Sequence, residues 1–492
     1  MLAHLPILQV IVPLMAAPAC LLLRRPKLVW LFTLLSSALA FIISILLLQQ
    51  VMIAGTISYE LGGWSPPWGI EYRVDKLSAF IAIIISGLST LVLLASRTSI
   101  DKEISADKHT LFYILYLLSL TGMLGIVTTG DAFNVFVFLE ISSLSAYSLI
   151  ALGKDRRAIW SSFQYLIMGT IGATFILIAI GLMYQMTGTL NMADLATRLP
   201  EVAETRTVIT AYAFFIVGVC LKLALFPLHL WLPNAYVYAP SMVTSFFAAT
   251  STKVAAYLLI RFTFSIFGLS FSFTTLPMET LFLALGLLGI FVTSTVAIYQ
   301  DNMKHVFAYS SVAQTGYMIV GFSMATTAGL SAMLLHMFNH ALMAGALFLA
   351  LGAVTYRVGA TRISDFQGLG RQMPFTMAAI VIGGLSVIGV PLTVGFVSKW
   401  HLVVAAIGKE WWVVAGLLLL GSLLAVIYVW RIVETAYFRA PITGKDPIKE
   451  APIAFLLPIG ILASANVYFG IDTRLSVGIA TAAAKGLFGV AP

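Results

Sequence analysis

The feature that most constrains this chain is a succession of long apolar runs that recurs along the whole 492-residue sequence. A helix needs about 20 mostly apolar residues to cross the hydrocarbon core of a bilayer, which is about 30 Å thick. We count about 14 runs of this length. They are apolar throughout, whereas the strands of a membrane barrel alternate over about ten residues. The sequence therefore predicts an all-α polytopic membrane protein with about 14 transmembrane helices.

Composition excludes the main alternatives. Hydrophobic residues make up 60% of the chain and charged residues 10%, whereas a soluble domain has about 25% charged residues. So few charges cannot cover a water-facing surface, which excludes a soluble enzyme, a nucleic-acid-binding protein and a disordered scaffold. The longest hydrophilic loops are residues 54–76 and 185–207. We therefore expect a single membrane domain in a lipid bilayer, with no attached catalytic module.

The predicted spans have boundaries that are uncertain by several residues. They are residues 5–23, 28–50, 77–96, 111–128, 132–152, 159–184, 208–228, 241–262, 280–299, 306–324, 330–354, 374–397, 411–430 and 451–470.

Two of these spans contain helix breakers close to a lysine. In the seventh, Lys222 precedes Pro227, and in the twelfth Gly389 and Pro391 precede Lys399. Corresponding broken helices in two halves of a transporter indicate inverted repeats, with ion sites at the breaks. The breaks fall five spans apart, and an odd-numbered repeat places its two copies in opposite orientations. The pattern therefore favours two inverted five-helix repeats.

The net charge of +8 is interpreted as a signal of orientation rather than of a polyanionic partner. Most lysines and arginines fall in alternate loops, and cytoplasmic loops carry this excess in membrane proteins. With an even number of spans, both termini are then predicted on the outer face of a bacterial inner membrane.

Four charges lie within or at the ends of otherwise apolar runs: Glu140, Lys222, Lys253 and Lys399. A charge at the bilayer centre costs roughly 2.5–3.5 kcal/mol on insertion scales, so such residues usually serve a function. The alternatives are a buried structural ion pair or a lysine that snorkels to the interface. Apolar flanks on both sides disfavour snorkelling for the first three residues, whereas Lys399 closes its span. A carboxylate and several lysines can exchange protons as their neighbours move, so we interpret the set as a proton relay.

Histidines add further protonatable groups. His336 and His340 are four residues apart and therefore lie on one face of the eleventh span. Their depth and the neighbouring Asn339 favour a proton path over simple helix packing. No cysteine or carboxylate is close enough in sequence to complete a metal site with them. His229, between Pro227 and Pro233, is equally compatible with a cap on the broken helix and with a place on the path.

No cofactor is expected. The sequence contains no P-loop, dinucleotide fingerprint, haem motif, metalloprotease motif or nucleophile elbow. Cys20 and Cys220 lie in apolar runs without the spacing of metal ligands, and we interpret them as small buried side chains. The energy for transport must therefore come from an ion gradient or from a partner subunit.

Several segments resemble the antiporter-like subunits that respiratory complex I shares with Mrp-type multisubunit Na+/H+ antiporters, in one order over nearly the whole chain. Two stretches, GGWSPPWGIEYRVDKLSAF and LGRQMPFTMAAIVIGGLSVIGVPLTVGFVSKW, look most like the D-type subunit of the Mrp antiporter. The other matching segments are FVFLEISSLSAYSLIALG, LKLALFPLHLWLPNAYVYAP, STKVAAYLLIRF, KHVFAYSSVAQTGYM and HMFNHALMAGALFL.

The resemblance implies 14 helices with inverted repeats at helices 4–8 and 9–13, broken helices 7 and 12, and a central hydrophilic axis for protons. On this chain the parts would be residues 1–109 (helices 1–3), 110–263 (first repeat), 280–438 (second repeat) and 451–492 (helix 14 and tail). Glu140 matches the family's helix-5 glutamate, and Lys222 matches its helix-7 lysine. Lys253 matches the bridging lysine of helix 8, and His336 and His340 match the helix-11 histidines. Lys399 matches the family's residue at the end of helix 12.

Two departures from the family's pattern matter. Many relatives have a lysine four residues after the second helix-11 histidine, where this chain has Ala344. Complex I relatives often have an aspartate and a histidine where this chain has Asn234 and Tyr236. The first departure removes one protonatable group, and the second favours the antiporter over complex I.

These observations lead to the hypothesis of a proton-translocating subunit in a multisubunit monovalent cation (Na+)/proton antiporter, with other hydrophobic antiporter subunits as partners. It would be a secondary transporter subunit rather than an enzyme. The first alternative is a proton-pumping subunit of a complex I-like NADH:quinone oxidoreductase or a membrane-bound hydrogenase. The second is a structural membrane anchor, which predicts that the buried charges are paired and inert.

Overall fold

The computed structural model describes residues 2–359, 361–441 and 447–489. The three last residues of the predicted C-terminal tail, 490–492, lie outside the described residues. In the described part, the chain forms a bundle of long helices joined by short loops, as the apolar runs predict. The helices are α1 (Leu5–Ala19), α2 (Pro26–Ala54), α3 (Lys76–Glu103), α4 (His109–Thr128), α5 (Ala132–Ala151), α6 (Arg156–Thr187), α7 (Met192–Val202), α8 (Arg206–Leu223), α9 (Trp231–Tyr238), α10 (Ser241–Ile260), α11 (Met278–Ile298), α12 (Met303–Ser323), α13 (Thr327–Val358), α14 (Leu369–Gln372), α15 (Pro374–Ile388), α16 (Val394–Gly408), α17 (Trp412–Val433), α18 (Ile453–Ile471) and α19 (Arg474–Leu487).

The predicted class, a polytopic helical membrane protein, is confirmed. Twelve helices of the described residues are long and apolar enough to cross a membrane, and they coincide with all predicted spans except the tenth and the twelfth. The tenth corresponds to α12, a 21-residue helix with more polar side chains. The twelfth is divided between α15 and α16, two shorter apolar helices.

Both predicted breaks are present. The seventh span ends as a helix at Leu223, and Ala224 takes a left-handed conformation with φ of 55°. Pro227, which has no amide hydrogen, follows in the non-helical segment before α9. The twelfth span ends as a helix at Ile388, and Gly389 has φ of 91°, a conformation that glycine adopts without a steric penalty.

The two long loops are more ordered than the sequence predicts. Residues 54–76 contain an antiparallel hairpin of β1 (Ile57–Glu60) and β2 (Glu71–Val74), in which Ile57 pairs with Val74. The loop at residues 185–207 contains α7. The buried carboxylate of Glu71 accepts a hydrogen bond of 2.8 Å from the Asn191 side chain at the start of α7. This hydrogen bond joins the hairpin to α7. Because of the hairpin, the fold is not wholly α-helical.

Two helices run through the middle of the bundle. In α10 and in α13, 94% of the residues in the most apolar 18-residue window are buried, and the two helices pack against each other. The remaining long helices surround them and expose apolar side chains outward. Most polar groups on α10 and α13 are therefore shielded from lipid by protein.

Candidate functional site

The three predicted lysines are all buried. The exposed fractions are 7% for Lys222, 0% for Lys253 and 7% for Lys399. Among the described residues, no carboxylate oxygen lies within 4.0 Å of any of their Nζ atoms. Each lysine instead donates hydrogen bonds to hydroxyl or carbonyl oxygens. The structure therefore contains three buried amines whose positive charge has no adjacent ionic partner.

Lys222 lies in the last turn of α8, one residue before the helix ends. Its Nζ donates to the Ser143 hydroxyl at 2.8 Å and to the Tyr147 hydroxyl at 3.5 Å. Both hydroxyls belong to α5 and are four residues apart, so they lie on one helix face. The sequence analysis missed both residues, although four serines within one apolar run were a visible signal.

Glu140 lies on α5, three residues before Ser143, and is partly exposed. One of its carboxylate oxygens is buried and has no hydrogen-bonding partner in the described part of the chain. Among the described residues Glu140 forms no ion pair with Lys222, which bonds to Ser143 instead. Glu140 and Lys222 are therefore neighbours across the interface of α5 and α8 rather than an ion pair.

A small cavity adjoins Lys222. Its volume is about 40 Å³, and its polar lining comprises the lysine and the side chains of Ser119, Ser142, Ser143, Tyr165 and Ser251. A buried water needs roughly 10–15 Å³ of such space and two to four polar partners. The cavity can therefore hold about three waters. Waters in a cavity of this size would give Lys222 alternative hydrogen-bonding partners without movement of the helices.

Lys253 lies at the centre of the bundle on α10. Its Nζ donates to the Ala248 carbonyl at 2.6 Å, which belongs to the preceding turn of the same helix. Because α10 packs directly against α13, Lys253 lies between the first group of residues, on α5 and α8, and the histidines of α13. The bridging role that the family resemblance implies for Lys253 stays a prediction.

The two histidines of α13 share one face, as predicted from their spacing. His336 is hydrogen bonded through both ring nitrogens, to Ser398 of α16 at 2.8 Å and to Gln314 of α12 at 3.1 Å. The ring of His340 is nearly parallel to that of His336, at 6.4 Å between centroids. Within the described residues, Nδ1 of His340 has no hydrogen-bonding partner. His336 therefore joins three helices, while His340 keeps a free nitrogen.

Lys399 lies at the second break. Its Nζ donates to the carbonyls of Val387 at 2.8 Å and Ile388 at 3.2 Å, and to the Ser422 hydroxyl at 3.1 Å. The two carbonyls are the last of α15 and have no amide partners within their own helix. A cation at a helix C-terminus also interacts favourably with the helix dipole. Lys399 therefore caps one half of the broken helix from the other half.

The predicted place of Lys399 at the end of a span is wrong. It is the sixth residue of α16, which continues to Gly408. The residues after the lysine, WHLVVAAIG, are again mostly apolar, so the helix extends beyond the point where the charge suggested an end. Lys399 is thus an internal residue, which removes snorkelling as an explanation for it.

Comparison with known proteins decides the family. Residues 129–425 match the family model described as NADH:quinone oxidoreductase/Mrp antiporter, transmembrane region. The chain is 40% identical to the N-type subunit of the NADH-quinone oxidoreductase of Desulforudis audaxviator, over 96% of each chain. The chain belongs to this NADH:quinone oxidoreductase/Mrp antiporter family.

Two further members show how the family spans both kinds of assembly. The chain is 30% identical to the D-type subunit of the Na(+)/H(+) antiporter of Alkalihalophilus pseudofirmus, over 87% of this chain and 86% of the relative. A protein chain in the structure of the membrane-bound sulfane sulfur reductase, an archaeal respiratory membrane complex, superposes with a TM-score of 0.89 at 31% identity. That match covers 99% of this chain and 97% of the other.

The departures from the NADH:quinone oxidoreductase/Mrp antiporter pattern have visible local consequences. Ala344 is buried one turn beyond His340 on α13, so no third basic side chain extends the histidine face. Tyr236 is buried, and its ring contacts Phe348 edge-on at 5.7 Å between centroids. Apolar packing therefore surrounds two of the three departing positions, whereas the Asn234 side chain donates to that of Gln164 at 3.4 Å.

His229 stays an open candidate in this family member. It is buried in the segment between α8 and α9, where its ring lies 5.4 Å from that of Phe226 and 6.2 Å from that of Tyr309. Its Nδ1 has no partner among the described residues, and no hydrogen bond joins it there to Lys222 or Glu140. The structure places it at the break but does not connect it to the lysines.

A fourth buried lysine is not among the predicted site residues. Lys304, the second residue of α12, is buried and donates to the Ala239 carbonyl at 3.5 Å and to the Ser241 hydroxyl at 3.4 Å. The backbone amide of Ser241 donates to the Glu103 carboxylate at 2.7 Å. Lys304 falls in a predicted loop, where lysines are ordinary, so its sequence context gave no signal.

Proposed function

We propose that this chain is a proton-translocating subunit of a multisubunit monovalent cation (Na+)/proton antiporter in a bacterial inner membrane. Its partners would be other hydrophobic antiporter subunits, and its transported ions would be protons and Na+ or another monovalent cation. Both termini would face outward. The chain carries protons and performs no chemistry of its own.

The observation that carries the proposal is the arrangement of three buried lysines without carboxylate partners. A buried ion pair is inert because each charge offsets the desolvation of the other. Lys222, Lys253 and Lys399 are held instead by hydroxyls and carbonyls. Such neutral groups accept hydrogen bonds from a lysine without fixing a charge on it. This favours a relay over the structural anchor, which requires paired charges.

The proposed route uses all of these groups. Protons enter near Lys253 and the two histidines and exchange with Lys222 and Glu140. They leave through Lys399 toward the opposite side. The polar cavity beside Lys222 supports a role for this lysine, because it has room for about three waters that would carry a proton to the amine.

Cation binding is proposed to lie mainly in a partner subunit or at an interface. Hard cations prefer several oxygen ligands, often from more than one carboxylate. Glu140 is the carboxylate that the sequence places in the middle of a span, and the side chains around it supply serine hydroxyls but no second acid within the described cavity lining.

The test is ΔpH-driven cation exchange in everted membrane vesicles that contain the whole complex. Glu140→Ala and Lys222→Ala are each expected to lower the exchange rate by roughly 100-fold, the usual contribution of a positioned proton-transfer group. Lys108→Ala, at an exposed lysine in the short 3-10 turn just before α4, serves as the matched control and should retain the full rate. Full activity of either buried-site variant, with normal assembly, would contradict the proposal.

A second candidate is a proton-pumping subunit of a complex I-like quinone oxidoreductase or a membrane-bound hydrogenase. It is favoured by the 40% identity to the N-type subunit of an NADH-quinone oxidoreductase and by the 31% identity to a chain of a respiratory membrane complex. The same lysines and histidines would carry protons in either complex. The co-purifying chains separate the two: iron–sulfur or flavin subunits indicate the redox complex, and small hydrophobic antiporter subunits indicate the antiporter.

A further inference from the structure

Four helix ends meet around an open cavity on the face that carries the basic loops. The cavity has a volume of about 650 Å³. It is bounded by the start of α2, the end of α3, the end of α13 and the start of α18. The groups that matter in its lining are Trp30, Arg97, Asp101, Lys102, Tyr356 and Arg357. None of these residues belongs to the proton relay described above.

The cavity concentrates positive charge with open bonding capacity. Arg97 is partly buried and lies 5.9 Å from the centre of the Trp30 ring, with no hydrogen-bonding or ionic partner among the described residues. Arg357 donates through Nε and Nη2 to the Glu450 carbonyl, which leaves its other terminal nitrogen available. Lys102 donates to the Tyr356 carbonyl and keeps two further hydrogens.

One acidic residue shares this lining and must be counted against the three basic ones. Asp101 lies one turn after Arg97 on α3, but its carboxylate approaches His109 at 3.7 Å rather than the arginine. The net charge of the cavity lining is therefore about +2. All three basic residues line one concavity beside the rings of Trp30 and Tyr356, with Arg97 partly buried and Lys102 and Arg357 exposed.

Below the cavity, α3 presents its lipid-facing strip. Most of α3 is buried, but Ile83, Thr90, Leu91 and Leu94 remain partly exposed in a line that leads to Arg97. Helices α2 and α18 both pack against α3 and flank this strip. The Trp30 indole donates to the Leu93 carbonyl at 2.9 Å, as a tryptophan at the boundary of headgroups and hydrocarbon would. The charged cavity thus adjoins partly exposed apolar side chains of α3.

We propose that this cavity binds the phosphate headgroup of an anionic phospholipid, with an acyl chain lying along the exposed strip of α3. Basic cavities between transmembrane helices on the cytoplasmic side have the chemistry to bind such headgroups. Arginine suits phosphate because its planar donors bind two oxygens at once. The partly exposed apolar side chains of α3 favour a lipid over free phosphate, which shares the headgroup's chemistry but gains nothing from apolar contact. The bound lipid joins the N-terminal helices to the ends of α13 and α18.

The experiment uses the purified complex that contains the chain, stripped of lipid in mild detergent and titrated with phosphatidylglycerol or phosphatidylcholine. Native mass spectrometry counts the lipids bound at each concentration. Phosphatidylglycerol is expected to bind more tightly than phosphatidylcholine, and Arg97→Gln to weaken its binding about fivefold. Arg97→Lys keeps the charge and should retain most of the affinity. Arg357→Gln is a second variant at the opposite wall, should Arg97→Gln assemble poorly.

Arg371→Gln is the matched control, because Arg371 is exposed on the short helix α14 but does not line the cavity. It should bind phosphatidylglycerol like the unaltered chain. Equal lipid binding in Arg97→Gln, Arg357→Gln and the control would overturn the proposal. Displacement of the lipid by millimolar inorganic phosphate would also overturn it, since that result indicates a free-anion site. So would the absence of any lipid binding, which is the result expected if a segment of a partner protein fills the cavity. None of these results depends on transport, so they leave the proposed function to its own test.

Discussion

The two broken helices place their lysines on opposite sides of the break. Lys222 precedes the first break, in the last turn of α8, whereas Lys399 follows the second break, inside α16. Two of the end carbonyls at the first break are satisfied without a lysine, since Leu221 accepts from the Trp231 indole at 3.0 Å and Cys220 from the Leu225 amide at 3.0 Å. At the second break, Lys399 itself satisfies the carbonyls. At the first break Lys222 therefore remains available to the hydroxyls of α5. At the second break Lys399 stabilises the end of α15.

The same contrast holds at the ends of the helices that follow each break. Arg261, directly after α10, forms two hydrogen bonds of 2.7 Å with Asp75, which lies in the loop just ahead of α3. Arg431, near the end of α17, contacts Asp301 at 2.5 Å. The side chains of the first pair are 12% and 25% exposed, and those of the second are 37% and 82% exposed. The first half is thus fixed to the N-terminal helices by a shielded pair, while the second half has a solvated one.

The largest expected effect tests this contrast between the ion pairs. Asp75→Asn should lower the free energy of unfolding by about 3 kcal/mol, because it leaves a largely buried arginine without its charge partner. Asp301→Asn should cost less than about 1 kcal/mol, as exposed pairs do. Chemical unfolding of the purified chain in detergent micelles measures both. Equal costs would show that burial does not separate the two halves.

The Asp75 pair also has a pH signature. Burial by itself raises the pKa of Asp75, but the Arg261 charge and the hydrogen bonds from Arg261 and Ser78 outweigh it and lower the pKa to about 2. An unfolded aspartate has a pKa near 3.9. The folded carboxylate therefore contributes full stability above about pH 4, and this contribution is lost as the pH falls toward 2. Asp75→Asn should remove that part of the acid sensitivity, and an unchanged acid profile in the variant would contradict the assignment.

The next effect separates the two lysines. Lys399→Met should lower the free energy of unfolding by about 2 kcal/mol, because it leaves buried carbonyls at the end of α15 without a donor. Lys222→Met should change it by less than about 1 kcal/mol, since the Ser143 hydroxyl can turn to the water in the adjoining cavity. Both variants should lose transport. Unfolding in detergent, measured beside exchange in vesicles, distinguishes the structural loss from the functional one. Equal stabilities of the two variants would indicate that Lys399 does not cap its helix.

The sequence predicted the positions of the breaks better than the bonding around them. Gly389 and the nearby prolines have backbone limits that hold in any environment, so the breaks follow from residue type alone. The charges of Glu140 and Lys222 predicted that they belong to one relay but not which bonds they form, because a lysine chooses among several oxygens within reach of its four-carbon stem. That choice depends on helix packing, which brings Ser143 to the amine and is not encoded in any local pattern.

The sequence analysis missed the β1–β2 hairpin and α19, because the sequence patterns that indicate them are weak. The hairpin joins two short segments, ISYE and EYRV, across a turn rich in glycine and proline, which is a strand pattern. Each strand has only four residues, so the alternation is too short to stand out. In the C-terminal tail, α19 buries Ser476, Ile479, Ala480, Ala483 and Ala484, a spacing of three and four residues that indicates an amphipathic helix. Both lie outside the apolar runs on which the prediction relied.

The smallest expected effect concerns the hydroxyls that contact each lysine. Ser143→Ala removes the shortest hydrogen bond of Lys222 and should lower the exchange rate about tenfold, because a bond to a charged amine contributes roughly 1.5 kcal/mol. Ser422→Ala leaves Lys399 with both carbonyls of α15 and should lower the rate less than about twofold. Both substitutions delete one hydroxyl from a partly or fully buried serine, so each is the other's control. The measurement is initial exchange rate in vesicles at equal amounts of assembled complex. If Ser422→Ala lowers the exchange rate more than Ser143→Ala does, then Lys399 exchanges its proton through the Ser422 hydroxyl. Capping of α15 is then not its main role, and the lysines at the two breaks do not differ in the way described above.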